Sequence, residues 1–270
     1  MPIVRLPQTP SRRALRGLAA ALALLVAAPA LAAPNDRCRV PAALTDAGHA
    51  LPRLAAALHG AAPARIVALG SSSTAGSGAS GIRAAYPTRL QVELGERLGV
   101  AIDVVNKGVG GEIAREMVER LKRDVIALRP ALVIWQTGTN DFLKDVDEAD
   151  FEKLLHRGIR KIRKAGADVI LLEPQYIRRL AQNDEYHAYV DIMRRVAAEE
   201  GAPIFRRYDV MANWVQSGHF DERTMLSKDG LHMIDASYLC LAELLTDMIA
   251  SGTQAAAQAA AGSGAESAAR

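Results

Sequence analysis

Asp229-Gly230-Leu231-His232 sets a carboxylate three residues ahead of an imidazole. That separation lets the carboxylate reach Nδ1, hold one ring tautomer and stabilise the imidazolium. Spacing alone does not single out this pair, because Asp46 and His49, and Asp184 and His187, stand equally far apart. Position separates them. His49 precedes the first apolar run, and His187 shares a helical stripe with Tyr186 and Val190, whereas His232 follows the fifth apolar run on a glycine-containing loop. A proton-transfer pair needs a nucleophile. Gly70 is followed by Ser71, Ser72 and Ser73, and a serine just beyond a strand exposes both its hydroxyl and its N–H at the sheet edge. A polar turn explains the same residues, and chemistry alone does not choose among the three.

Two other segments offer donors. Asn106-Lys107-Gly108-Val109-Gly110-Gly111-Glu112 opens a helix with three glycines, so backbone can approach a ligand closely and unpaired N–H groups face it. Such groups suit a developing negative oxygen, although a tight turn accounts for the glycines equally well. In Thr137-Gly138-Thr139-Asn140-Asp141 the Asn140 amide donates either to an oxyanion or within an Asx turn. The Gly70–Gly76 stretch lacks the lysine and the glycine spacing of phosphate loops. Neither cysteine stands at metal-ligand spacing to a histidine, and no cofactor is expected.

The elements that must position these groups are legible as alternating patterns. Five short apolar runs, 65–69, 101–105, 131–135, 168–172 and 203–205, have the composition of strands buried on both faces. Stripes of helical period lie between them: Leu90/Leu94/Leu98, Ile113/Met117/Leu121/Val125, Phe151/Leu154/Leu155/Ile159/Ile162 and Tyr186/Tyr189/Val190/Met193/Val196. A last helix is expected over 235–250, and an alanine-rich helical lead-in over 39–62. Alternation of this kind predicts an α/β fold with a parallel sheet covered on both sides, whose functional groups gather where strands end and helices begin. Trp135 falls in a strand and reads as core. Trp214 and Phe220 stand either in the substrate pocket or in the packing.

Residues 1–32 read as a signal peptide: Arg5, Arg12, Arg13 and Arg16, an apolar run from Leu18 to Ala28, then Ala30-Leu31-Ala32 with cleavage expected after Ala32. Sec and twin-arginine export both stay open. The formal charge of +3 falls to −1 without this segment, because 29 basic residues then face 30 acidic ones. Neither nucleic acid nor an anionic membrane is an expected partner on that balance, and no stable membrane insertion is expected after cleavage. Aromatic residues at 4% offer few stacking platforms for long sugar chains, while 50% apolar residues suffice for a sizeable core. Cys38 and Cys240 either form one disulfide in an oxidising compartment or remain two thiols. The Ala/Gly/Ser-rich stretch 251–270 is expected to be disordered.

Taken in order, the segments resemble the SGNH/GDSL hydrolases. Gly70-Ser71-Ser72-Ser73 resembles that family's first block, Gly108-Val109-Gly110-Gly111 the second, Gly138-Thr139-Asn140-Asp141 the third and Asp229-Gly230-Leu231-His232 the last. The resemblance spans 65–250, after a lead-in over 33–64. It implies a three-layer α/β/α sandwich of flavodoxin-like type with a five-stranded parallel sheet, and serine esterase or lipase chemistry without a metal. By motif position it implies Ser72 as nucleophile, His232 as base, Asp229 as its partner, and Ser72, Gly111 and Asn140 as oxyanion hole. The substrate implied is a small-molecule, glycan or lipid ester, met in the periplasm or outside the cell. One departure stands out: Ser71 occupies the place of the family's usual aspartate, and Ser73 that of the following leucine. A catalytically silent carbohydrate- or lipid-binding module on the same fold is the alternative. A flavin- or phosphate-binding protein would need an anion cradle after the first strand.

Overall fold

A computed structural model describes residues 36–46 and 48–268; the expected signal peptide lies outside them. In chain order the elements are α1 (Pro52–Leu58), β1 (Ala64–Gly70), α2 (Ser72–Ala75), α3 (Tyr86–Leu98), β2 (Ile102–Gly108), α4 (Ala114–Asp124), β3 (Leu132–Gln136) and α5 (Thr139–Leu143). They continue with α6 (Glu148–Lys164), β4 (Asp168–Leu172), α7 (Asp184–Glu200), β5 (Ile204–Phe205), α8 (Arg207–Gln216), α9 (Glu222–Met225) and α10 (Asp235–Ala268). All five strands are parallel, in the order β2-β1-β3-β4-β5, which is the flavodoxin-like winding.

The two faces of the sheet follow from side-chain alternation along each strand. Ile66, Ala68, Leu132, Ile134, Ile170 and Leu172 face one layer, packed with Leu54 of α1, Leu90 and Leu94 of α3, Trp214 of α8 and the Tyr238–Ile249 stripe of α10. Val67, Leu69, Val133, Trp135, Val169 and Leu171 face the other, against Met117 of α4, Ile159 of α6 and Met193 of α7. Helices thus cover both faces, the three-layer arrangement expected. Gly158 lets α6 lie directly on the sheet, since a Cβ there would sit 2.3 Å from the Trp135 ring.

Three expectations need comment. The lead-in is helical only over Pro52–Leu58, preceded by the short turns Asp36–Cys38 and Ala42–Leu44, because Pro41 and Pro52 divide it and proline is tolerated only in a helix's first turn. Residues 251–268 are helical rather than disordered, because α10 continues to Ala268. Alanine carries the highest helix propensity, and this extension is anchored by packing. Thr253 and Ala256 are buried, Leu51 donates its N–H to the Gly252 carbonyl at 3.0 Å, and a Cβ on Gly252 would meet the Leu51 side chain at 2.9 Å. The two cysteines form a disulfide, Cys38–Cys240, joining the described N-terminal segment to α10.

Candidate active site

Ser72 lies at the first position of α2, two residues past the end of β1. First-turn N–H groups have no acceptor within a helix. Its Oγ stands 2.7 Å from His232 Nε2, and His232 Nδ1 stands 2.6 Å from Asp229 Oδ2. The other two serines are engaged elsewhere or enclosed. Ser71 is buried and bonded to Gln136, and Ser73 is buried, whereas Ser72 is half-buried.

The last block sits on a short loop closed by an antiparallel bridge between Leu226 and Met233. Within it Ser227 accepts the N–H of Gly230 and donates its own to the His232 carbonyl, a turn that Gly230 permits with a φ of +64°. Asp229 Oδ1 accepts from the Ser227 hydroxyl at 2.7 Å and from the N–H groups of Leu231 and His232 at 2.8 and 3.0 Å. That leaves Oδ2 for the imidazole. Partial burial pushes the Asp229 carboxyl up, but the bonds from His232, Ser227 and the two N–H groups outweigh it and hold it well below the usual carboxylate range. A carboxylate accepts only, so Nδ1 carries the proton. In the neutral ring Nε2 then presents its lone pair to the serine hydroxyl.

The donor segments are knit to this edge by backbone. Val109 donates to the Gly70 carbonyl at 2.9 Å, and Asn106 Nδ2 to that of Thr74 at 2.7 Å. A Cβ on Gly108 would stand 2.1 Å from Ala75 N, so only glycine lets β2 end this close to α2. Gly111, at a φ of +78°, has its carbonyl held by Lys144 Nζ at 2.7 Å. Asn140 Nδ2 donates to the Glu112 carbonyl at 2.9 Å, which leaves a second N–H on that nitrogen. Second and third blocks are thereby joined, although among the described residues no hydrogen bond runs from Gly111 or Asn140 to Ser72.

Residues 37–255 match the sequence profile of the non-GDSL lipase-like family. The chain belongs to this family. The match is consistent with the SGNH/GDSL resemblance of the four blocks. Among solved structures it resembles LAE5, an α/β hydrolase from the metagenome of Lake Arreo, Spain, with 22% identity, a TM-score of 0.63, and 72% of this chain and 99% of that one covered. It also resembles a mutant of Axe2, an acetyl-xylooligosaccharide esterase from Geobacillus stearothermophilus, at 22% identity, TM-score 0.60, covering 68% and 93%. A third is a lipolytic protein of the G-D-S-L family from Desulfitobacterium hafniense, at 21% identity, TM-score 0.56, covering 68% and 99%. At such identities the likeness is one of fold. No curated protein sequence matches this chain.

The lipase-like chain's departure at Ser71 has a structural counterpart that no motif announced. Buried Gln136, at the end of β3, accepts through Oε1 from the Ser71 N–H at 3.0 Å, the Ser71 hydroxyl at 3.2 Å and the Thr74 hydroxyl at 3.0 Å. A neutral amide thus braces the loop that carries Ser72. Arg120 of α4 is a second unannounced support: it donates to the carbonyls of Gly70 and Lys107 at 3.3 and 2.8 Å and to the Glu112 carboxylate at 2.7 Å. Asp141 is a third, its Oδ1 accepting from Ala114 N and its Oδ2 from Thr137 Oγ1 and Gly138 N. Burial pushes this carboxyl up against the pull of those donors. The apolar Trp214 and Phe220 lie in the core, with Trp214 Nε1 donating to the Cys38 carbonyl, and do not line the site. His187 bonds the Ala181 carbonyl and the Tyr208 hydroxyl, a packing role. Among the described residues, Glu152, His156 and Glu199 bring ligand atoms within 4.8 Å of one another. They lie on α6 and α7 and are already engaged, Glu152 by Arg195 and His156 by Glu199 and Glu200.

Proposed function

We propose that the protein is an exported serine esterase cleaving carboxylic esters through an acyl-enzyme. The observation that carries this reading is the continuous chain Ser72–His232–Asp229, with contacts of 2.7 and 2.6 Å. His232 Nε2 takes the hydroxyl proton as Ser72 Oγ bonds the ester carbonyl carbon. The carbonyl electrons move onto oxygen, where the N–H groups of Ser72 and Gly111 and the free N–H of Asn140 receive them. Collapse expels the alcohol, protonated by His232. Water, deprotonated by the same imidazole, then attacks the acyl-serine, releasing the acid and restoring the hydroxyl. Asp229 holds the tautomer throughout. Nothing in these steps calls on a metal or cofactor, and the substrate is a small-molecule, glycan or lipid ester.

Export rests on the signal-like segment 1–32 and agrees with the disulfide, since such bonds persist in oxidising compartments. Protein recovered from the periplasm or medium is expected to begin at Ala33. The esterase reading is tested with p-nitrophenyl esters of increasing acyl length and a fluorophosphonate probe. Wild-type protein is expected to turn over and to label, and Ser72→Ala to do neither. Preference for acetyl points to deacetylation, and preference for long chains to lipid esters. Labelling that persists in Ser72→Ala moves the nucleophile to Ser71 or Ser73. A wild-type protein that neither turns over nor labels leaves a silent carbohydrate- or lipid-binding module.

A further inference from the structure

The peptide unit between Leu231 and His232 is gripped at both ends. Its N–H, on His232, is held by Asp229 Oδ1 at 3.0 Å. Its carbonyl, on Leu231, accepts from Gln175 Nε2 at 3.2 Å. Gln175 lies just past β4, is 2% exposed, and lies 56 residues from Leu231 in sequence. Its Oε1 accepts from Thr139 Oγ1 at 3.2 Å and from Arg207 Nη2 at 2.8 Å. Thr139 immediately precedes Asn140 in α5, so one side chain touches both the loop of the imidazole and the helix of the oxyanion amide.

Arg207 decides which way that amide faces. A guanidinium has donors and no acceptor, so the group it meets on Gln175 must be oxygen, and the nitrogen is thereby turned toward Leu231. Arg207 itself is completely buried, at the start of α8, and donates through Nε to the Glu173 carbonyl at 2.7 Å. Among the described residues no ion pair joins it to a carboxylate. Retaining an unpaired cation in the interior is costly, and burial, opposed by the nearby tyrosines and Glu173, lowers its proton affinity. Its fixed work here is to orient two acceptors at the sheet's carboxyl edge, Glu173 O and Gln175 Oε1.

We infer that Gln175, oriented by Arg207, is a positioning residue that sets the His232 ring against Ser72 and keeps it in register with Asn140. The inference rests on the esterase reading for its kinetic consequence, not for its geometry. Releasing the Leu231 carbonyl frees the peptide plane that bears His232, and a displacement of about 1 Å at a reacting group costs up to about 100-fold in rate.

The test is Gln175→Glu beside Gln175→Ala, each followed by thermal melting, ester kinetics and the downfield imidazole proton shared by His232 and Asp229, assigned with His232→Gln. Gln175→Glu keeps an oxygen for Arg207 and Thr139 and gains an ionic partner for Arg207, but sets oxygen against the Leu231 carbonyl. It is expected to melt no lower than wild type, to lose about 10- to 100-fold in kcat with little change in KM, and to shift or broaden the imidazole proton. Gln175→Ala is expected to show the same kinetic split with a lower melting temperature. Wild-type kcat and an unmoved imidazole proton in Gln175→Glu overturn the inference, as does a loss that tracks only the unfolded fraction. A wild-type protein without ester turnover defeats the esterase reading alone, because the proton resonance still reports whether Gln175 holds the ring.

Discussion

In the proposed mechanism His232 can serve Ser72 only while its lone pair sits on Nε2, and Asp229 secures that by accepting from Nδ1. Asp229→Ala is therefore expected to fold and to lose about 10³–10⁴-fold in kcat, measured with the best p-nitrophenyl ester. The depressed Asp229 carboxyl also sets a pH expectation. Its folded value lies below its unfolded one, so its contribution to stability is complete above about pH 4. It is lost only as pH falls through the depressed value. Melting of wild type and Asp229→Ala is expected to differ by a constant amount across neutral and mildly acidic pH and to converge in stronger acid. Asn140→Ala removes one donor of the proposed oxyanion hole and is expected to lower kcat about 10²–10³-fold in a folded protein. Unchanged kcat would mean its amide serves only the Glu112 carbonyl.

At the scale of elements, the site depends on how closely helices and strand ends approach. Gly158→Ala places a methyl 2.3 Å from the fully buried Trp135 ring, which has no room to yield. Chemical denaturation is expected to show a loss of about 1–3 kcal/mol, the usual cost of overpacking. The extension of α10 covers Leu51, so truncation after Ala250 is expected to lower stability by about 1–2 kcal/mol, part of the value of burying a leucine. Truncation after Ala261 is expected to leave stability unchanged. The strands and most helices were legible because their apolar residues recur at the period of the element. The tail was not. Its alanine-rich composition carries no stripe, and the small side chains that seat it are read as linker until Leu51 is known to lie beneath Gly252.

Across the whole molecule, the Cys38–Cys240 bridge spans 202 residues and encloses nearly the whole described chain. Closing so long a loop restricts the unfolded ensemble strongly, and the Cys38→Ala/Cys240→Ala protein is expected to lose about 2–5 kcal/mol in urea denaturation. Both cysteines are buried and Trp214 is bonded to the Cys38 carbonyl, so the bridge fixes the N-terminal segment on the core rather than shaping the catalytic edge. Kinetic constants measured well below the melting point are accordingly expected to match wild type. Among the described residues no helix is long and apolar enough to cross a membrane.

Periodicity predicted a parallel sheet covered on both sides, and the resemblance carried by four short blocks implied its flavodoxin-like winding and pointed to Ser72, Gly111, Asn140, Asp229 and His232. Those features are local: alternation is set by backbone geometry, and each block lies at a strand end. What joins the blocks was invisible. Gln136, Arg120, Gln175 and Arg207 are ordinary polar residues, and nothing in their spacing announces that Gln136 meets Ser71 across 65 positions or Gln175 meets Leu231 across 56. Only folding removes them from water, and a buried donor or acceptor must then find its partner wherever the tertiary structure has brought one. That Ser72 Oγ, and not the hydroxyl of Ser71 or Ser73, meets His232 Nε2 is of the same kind, because identical hydroxyls differ only in what surrounds them.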